Sequence, residues 1–182
     1  SEACIFNILG ISVKYSNMEM LERGYGISLR HLTNFAQKTY ADGGCFAPKV
    51  ISAMDREISG TDSIARLYKA VLMIQFKLEG QAIMRNPSFC MEDRLLLDKI
   101  DFEKGTVRIG DKEYEMLDSD FPTVDPKDPY RLTAEEEQVV ERLRHAFVHC
   151  EKLQKHVRFL FAKGSMYKIF NSNLLYHGCV PM

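Results

Sequence analysis

His177 is the side chain in this sequence that is best placed to take part in chemistry, because it stands directly before Gly178 at the end of a short apolar run. The apolar runs 166–170 and 174–176 flank a turn at 171–173, an arrangement typical of a β-hairpin. An imidazole at a strand end can approach a metal ion closely when glycine follows it. A histidine in such a hairpin is more often a hydrogen-bonded structural residue, so spacing alone leaves both interpretations open.

Three other histidines and one cysteine are weaker candidates. His145, His149 and His156 fall at i, i+4 and i+11 of a predicted helix, and the first pair has the spacing for metal chelation from one face. The His-Glu-x-x-His pattern of metalloproteases is missing, and the three residues flank an apolar stripe, which favours boundary positions. Cys179 has no suitable base nearby in the sequence, so a role as nucleophile is disfavoured.

The segment 118–132 combines aspartates with three prolines. Alternating carboxylates can bind calcium, but the glycine and the terminal glutamate of an EF-hand loop are missing here. The composition therefore favours a solvated loop that is stiffened by proline.

Two long amphipathic helices are expected to position these groups. The first begins at Thr61 and ends before Pro87, with apolar residues spaced three and four apart. The second begins at a capping box formed by Thr133 and Glu136, and its stripe predicts one continuous helix to Gly164. We expect the two helices to pack on each other through their apolar stripes.

The other elements are predicted to be shorter. Helices are expected from a cap at Ser1, over 17–23 and over 28–40, with a loop and one helical turn in 41–60. The segment 94–100 fits either a short helix or a strand, and the runs 106–109 and 112–116 form a small hairpin around Gly110. The predicted fold is mainly α (α+β), a bundle-like helical domain over 1–164 followed by the terminal hairpin over 165–182.

Composition excludes several classes of partner. The 182 residues are 46% hydrophobic and 27% charged with a net charge of −1, the balance of a soluble globular protein. No basic surface for nucleic acid and no membrane-spanning run are expected. Five widely spaced cysteines favour reduced thiols and a cytoplasmic protein.

Several longer runs carry a resemblance to a known family. The segments 76–81, 93–101, 125–133 and 156–161, together with the His-Gly segment at His177, resemble the class III fructose-1,6-bisphosphatases of the metallophosphoesterase superfamily. The resemblance implies that His177 ligates one of two adjacent divalent metal ions, with Mn²⁺ the expected ion. It also implies a sugar bisphosphate as substrate, hydrolysis of its 1-phosphate, and a role in gluconeogenesis.

Four other motifs of that superfamily are missing: Asp-x-His, Gly-Asp-x-x-Asp-Arg, Gly-Asn-His-Asp/Glu and a later Gly-His. The resemblance therefore implies an internal fragment of a larger enzyme, inactive by itself, whose terminal hairpin belongs to the sheet of a missing metallophosphoesterase core. No catalytic or substrate-binding residue is assigned within the chain.

Two alternatives remain open from the sequence. The helical stripes and the incomplete site fit a non-catalytic module for interaction or homo-oligomerisation. The metal-ligand pattern also fits a metallophosphatase of another substrate, because substrate choice depends on pocket contacts that spacing does not show.

Overall fold

The computed structural model describes residues 2–48 and 61–176, and within them the fold is mainly helical with two small antiparallel sheets. The helices are α1 Glu2–Lys14, α2 Arg30–Thr39, α3 Thr61–Arg85, α4 Ala134–His149 and α5 Glu151–Lys163, with a π-helical turn at Met20–Gly24. The strands are β1 Ile100–Asp101, β2 Thr106–Ile109, β3 Lys112–Glu115, β4 Tyr167–Phe170 and β5 Asn173–Tyr176. The predicted α+β class is confirmed at this level. The predicted cap at Ser1, the helical turn within 50–58 and His177 lie outside the described residues.

Helix α3 forms the centre of the core. The predicted stripe on α3 is buried, as its members show: Ile64, Leu67, Val71, Ile74 and Leu78. The main neighbours of α3 are α1 and α2, and both of these helices also contact α4. The predicted stripe-to-stripe packing of α3 on α4 is therefore wrong as the main contact, since α1 and α2 cover most of the apolar surface of α3.

The start of α4 is the predicted capping box. The backbone N–H of Glu136 donates to Oγ1 of Thr133 at 3.2 Å, and the Thr133 N–H donates to Oε2 of Glu136 at 2.7 Å. Both residues thereby satisfy amide groups that have no partner within the helix.

The predicted continuous helix from 134 to 164 is wrong, because the backbone leaves helical geometry at Cys150, where ψ is 98°. Helix α5 restarts at the next residue. Two contacts hold it against the turn after the π-helical segment: the Cys150 thiol donates to the Tyr25 carbonyl at 3.2 Å, and Nζ of Lys152 donates to the Gly24 carbonyl at 2.7 Å. Nε2 of Gln154 donates to the Phe147 carbonyl at 3.1 Å, which satisfies a group exposed by the break.

The predicted hairpin around Gly110 is confirmed and gains a third strand. Strands β2 and β3 pair antiparallel, with Val107 opposite Tyr114, and Gly110 in the turn has a φ of 59°. The ambiguous segment 94–100 forms short 3₁₀ turns that lead into β1, and β1 pairs with β2. None of the described helices has the combined length and apolar character needed to cross a bilayer.

Candidate functional site at the β4–β5 hairpin

Strands β4 and β5 form the hairpin that precedes His177. They pair antiparallel with Tyr167 opposite Tyr176, and the turn residues Asn171 and Ser172 have φ values of 47° and 62°. Two consecutive left-handed residues define the turn that matches strand twist in a two-residue hairpin. The predicted turn and its two flanking strands are therefore confirmed.

One face of this hairpin is apolar and uncovered. Side chains alternate between the faces of a strand, so Tyr167, Ile169, Leu174 and Tyr176 share one face. All four are 49–66% exposed. An isolated two-stranded ribbon is marginally stable in water, so this face is suited to packing against a further layer. The strand ends at Tyr176, and the metal-ligand role of the following His177 stays a prediction.

The other histidines do not assemble into a site. The rings of His145 and His149 stack with centroids 4.0 Å apart, and Nδ1 of His149 lies 2.9 Å from the His145 carbonyl oxygen. His156 lies on α5 beyond the break, where its Nδ1 is 3.1 Å from the hydroxyl of Tyr25. All three are exposed, as the boundary interpretation predicts.

The aspartates of 118–132 are occupied by local contacts. Asp118 accepts from Nζ of Lys69 at 2.8 Å, and Asp125 accepts from Arg131 at 3.2 Å and from the Lys127 N–H at 2.9 Å. Across the part of the chain that the structure describes, no group of three or more histidine, cysteine, aspartate or glutamate side chains could hold a metal ion.

The core contains a buried ion pair between α3 and α4. Lys77 and Glu136 are both fully buried, and Nζ of Lys77 lies 2.7 Å from Oε2 of Glu136 and 2.5 Å from the Thr123 carbonyl oxygen. Burial lowers the pKa of Lys77, and the hydrogen bond with Glu136 opposes that shift. The other carboxylate oxygen of Glu136 has no hydrogen-bond partner.

A second buried lysine fixes the beginning of the segment 118–132, which we call the acidic loop. Lys69 is fully buried, pairs with Asp118, and has its Nζ 5.5–5.7 Å from the ring centroids of Tyr40, Phe46 and Phe121. Cation–π contacts of this kind stabilise a desolvated ammonium group. Both lysines therefore organise the fold around α3 and have no access to solvent.

Sequence reasoning missed these two ion pairs, although a signal for them exists. Lys69 and Lys77 interrupt the apolar middle of this helix and lie eight residues apart. Charged residues in the middle of a buried helix predict buried partners, but these partners come from the loop that follows the small sheet and from the start of α4.

Two buried tyrosines mark the same loop. The Tyr130 hydroxyl donates to Asp98 at 2.6 Å and accepts from the Leu97 N–H at 3.2 Å, while the Tyr40 hydroxyl lies 3.4 Å from that of Thr123. Burial raises the pKa of both phenols, and for Tyr130 the neighbouring Asp98 raises it further. These groups stay protonated and structural at neutral pH.

Comparison with known proteins gives a consistent result over the whole chain. The family model described as Firmicute fructose-1,6-bisphosphatase matches residues 1–182. Curated proteins named fructose-1,6-bisphosphatase class 3 are 50% identical in Clostridium novyi, 52% in Alkaliphilus metalliredigens and 47% in Listeria innocua, and each alignment covers 100% of this chain. No solved structure matches the chain at a significant level.

The chain spans only 28% of the length of these relatives. Two features of the structure are in line with a chain that corresponds to part of a longer protein. The apolar face of the hairpin is uncovered, and residues 2–48 and 61–176 contain no metal-binding cluster. Because the family model matches every residue and the relatives are identical at about half of the aligned positions, the chain belongs to the Firmicute fructose-1,6-bisphosphatase family.

Proposed function

We propose that this chain is the helical part of a longer cytoplasmic phosphatase that hydrolyses the 1-phosphate of fructose 1,6-bisphosphate in gluconeogenesis. The observation that carries the proposal is the family match over residues 1–182, together with relatives named for this activity at 47–52% identity. The chain alone is expected to be inactive, because the described residues contain no metal-binding cluster.

The proposed reaction needs a divalent metal pair, with Mn²⁺ as the expected ion and His177 as the ligand that this chain contributes. Such a pair supplies a hydroxide near neutral pH and neutralises charge on the phosphoryl oxygens. The described residues do not fit a metal ion on their own, so the remaining ligands belong to the parent outside this chain. The hairpin supports the proposal, since its uncovered face suits a strand pair that joins the sheet of a metallophosphoesterase core.

The decisive experiment compares histidine variants of the longer parent protein. His177→Ala is expected to lower Mn²⁺-dependent phosphate release by orders of magnitude, with partial rescue by excess Mn²⁺, because one ligand of the metal pair is lost. His145→Ala and His149→Ala are matched controls, since both side chains are exposed on α4 and their rings stack on each other there. Normal activity and metal content in a folded His177→Ala enzyme would show that this residue is not a ligand.

The alternative that the parent is a phosphatase of another substrate is tested by assaying several phosphate esters. Phosphate release from fructose 1,6-bisphosphate is compared with release from fructose 6-phosphate, a nucleotide and a phosphopeptide. Preference for one of the other esters would replace the proposed substrate while leaving the phosphatase chemistry in place. The non-catalytic module remains the alternative if no ester is hydrolysed.

A further inference from the structure

The segment 151–176, which contains α5 and the β4–β5 hairpin, has the largest share of exposed apolar side chains, and we call it the terminal arm. It exposes eleven large apolar side chains, whereas the other described residues, 2–48 and 61–150, expose ten in all. Phe161 and Met166, at the junction of α5 and the hairpin, are each 91% exposed. Apolar exposure concentrated in so short a segment indicates an interaction surface.

The second face of the β4–β5 hairpin is apolar as well. Phe170 and Leu175 lie on the side opposite to the apolar face described above, and they are 58% and 51% exposed. Strands with apolar side chains on both faces are typical of a sheet that protein layers cover on both sides. A lipid surface would cover only one face, so the second face favours a protein as the partner.

The terminal arm is also the basic part of the molecule. It carries five lysine or arginine side chains and one glutamate, a net charge of +4, whereas the rest of the chain carries −5 within the total of −1. The side chains of Lys155, Arg158 and Lys163 form no ion pair or hydrogen bond with any other residue that the structure describes. The terminal arm therefore offers unpaired positive charge next to its apolar surface.

Phe159 stands in the middle of a basic stripe on α5. Lys155 lies four residues before it and Lys163 four residues after it, so the three side chains share one side of the helix. Phe159 is 63% exposed. Interface hot spots combine a central aromatic side chain, which becomes buried, with a surrounding rim that excludes water. A partner that fits this stripe has an apolar pocket for the ring and carboxylates around it.

The terminal arm is attached to the rest of the described structure only near its base. The Cys150 thiol and Nζ of Lys152 bond to the turn at Tyr25 and Gly24. Beyond this base, α5 has no buried residue, and the strands of the hairpin mainly contact each other. The relatives are more than three times as long as this chain, so most of a protein of that size lies outside it. That remainder is the partner available to every copy of the terminal arm.

We propose that the terminal arm docks onto an acidic and apolar surface of the rest of the longer protein. Both faces of the hairpin and the Phe159 side of α5 are covered there, and carboxylates of that surface pair with Lys155 and Lys163. The inference rests on the part of the proposed function that makes this chain a segment of a longer protein. It adds α5, the second face of the hairpin and the charge of the partner surface to the single hairpin face considered there.

Hydrogen exchange followed by mass spectrometry tests the docking in the 182-residue chain and in the longer parent. Peptides from 151–176 are expected to exchange about tenfold or more slowly in the parent, because packing reduces the population of opened states. The β2–β3 hairpin is the matched control, since β3 is exposed throughout, and it is expected to exchange equally in both proteins. Equal exchange of the terminal arm in the two proteins would overturn the proposal. Slow exchange of the isolated chain at high protein concentration alone would assign the surface to a second copy, which would also overturn it.

Charge reversal tests the acidic character of the partner surface. Lys155→Glu combined with Lys163→Glu in the parent is expected to speed the exchange of the terminal arm by about tenfold, because like charges then face each other. High salt is expected to reduce this difference. Lys112→Glu combined with Lys127→Glu is the matched control, since both lysines are exposed outside the terminal arm, and it is expected to leave that exchange unchanged. Slow exchange that persists in the charge-reversed parent would contradict an acidic partner surface.

A second pair of variants covers the case in which the charge-reversed parent fails to fold. Phe159→Ser in the parent is expected to speed the exchange of the terminal arm, because the ring no longer fills its pocket. Phe89→Ser is the control, since Phe89 is 55% exposed and lies outside the terminal arm, and it is expected to have no such effect. Equal exchange of the terminal arm in these two variants would count against docking through Phe159.

Vesicles of phosphatidylcholine and phosphatidylserine test the competing partner, because a basic stripe with an aromatic side chain also suits an anionic membrane. The parent is expected not to float with such vesicles. Flotation that the variant with Lys155→Glu and Lys163→Glu loses would assign the terminal arm to a membrane and overturn the proposal. Since none of these measurements uses phosphate release, failure of the proposed phosphatase function would leave the result unaffected.

Discussion

At the scale of single residues, the folded structure depends on two lysines whose side chains are buried from water, Lys69 and Lys77. Lys77 has three potential donors and two buried acceptors, the Glu136 carboxylate and the Thr123 carbonyl. Glu136 also closes the capping box of α4, so one carboxylate joins the start of that helix to Lys77 on α3, whose Nζ also bonds to Thr123 of the acidic loop. A buried ion pair contributes little net stability compared with an apolar pair, but breaking it leaves an uncompensated charge.

The first prediction concerns this coupling. Lys77→Met is expected to lower the free energy of unfolding by about 3–5 kcal/mol, because it leaves the Glu136 carboxylate buried without its cation. Glu136→Gln keeps a side chain that can close the capping box but leaves Lys77 unpaired. The double variant is expected to recover much of the loss, and urea unfolding of all four proteins measures the coupling. Strictly additive losses would mean that the two side chains do not interact energetically.

The second prediction uses the raised pKa values of Tyr40 and Tyr130. Unfolded tyrosine ionises near pH 10, while the buried phenols keep their protons to higher pH. The folded chain therefore binds more protons than the unfolded chain in this range, so these two groups make stability fall as the pH rises above about 10. Urea unfolding between pH 8 and 11 measures the slope.

Tyr130→Phe isolates the share of one phenol in that slope. The substitution removes the bond to Asp98 and is expected to cost about 1 kcal/mol at pH 8, yet its stability should decline less steeply above pH 10 than that of the wild type. This comparison is needed because the pKa of Lys77 is lowered in the folded chain, so Lys77 makes stability rise with pH and opposes the effect of the tyrosines. Identical slopes in the two proteins would contradict the role of Tyr130.

At the scale of elements, the break at Cys150 divides the last helical segment into two parts with different roles. Helix α4 buries Val139, Val140, Leu143 and Phe147 in the core. Helix α5 has no buried residue, and polar contacts to the turn at Gly24 and Tyr25 help to hold it in place. Helix α5 therefore connects the core to the hairpin and contributes little to the core itself.

A third prediction follows for leucines on the two helices. Leu143→Ala is expected to cost about 2–5 kcal/mol, because Leu143 is 4% exposed within the core. Leu153→Ala on α5 is expected to cost clearly less, since this side chain is only partly buried at the edge of the core. Urea unfolding midpoints of both variants provide the measurement. Equal losses would mean that α5 is as firmly packed as α4.

Elements that are determined by nearby residues could be predicted from the sequence, whereas features that depend on distant residues could not. The boundaries of α3, the capping box at Thr133 and the turn at 171–172 were predictable, because local spacing, caps and turn residues determine them. The break at Cys150 was not predictable, because an unbroken apolar stripe continues through it and the contacts made there are with the distant residues Gly24 and Tyr25. The partners of Lys69 and Lys77 were hidden for the same reason, since they lie in the acidic loop and at the start of α4, about 40–60 residues further along the chain.

At the scale of the whole molecule, the candidate site is predictable only as a strand that leads towards His177. The apolar runs and the turn predicted the hairpin, while no described part of this chain covers its apolar face. The four exposed apolar side chains on one face, with relatives more than three times as long, support our proposal that this hairpin packs against other parts of the longer parent. This interpretation makes the same substitution behave differently in the two proteins.

The last prediction therefore compares Ile169→Lys in the isolated chain and in the parent. In the 182-residue chain Ile169 is 66% exposed, so the free energy of unfolding is expected to change by less than about 0.5 kcal/mol. In the parent, the same change places an ammonium group beneath the covering layer, which is expected to cost several kcal/mol. Because the hairpin leads directly to the proposed ligand His177, Mn²⁺-dependent activity is expected to fall as well.

Lys168→Ala is the control for this comparison, because Lys168 lies on the opposite face of the same strand and is exposed. It is expected to be neutral in the isolated chain and to affect the parent less than Ile169→Lys. Thermal unfolding and phosphate release of both proteins with each substitution complete the test. If Ile169→Lys leaves the stability and the activity of the parent unchanged, the apolar face stays exposed to solvent in the parent, and the hairpin cannot be part of a buried sheet there.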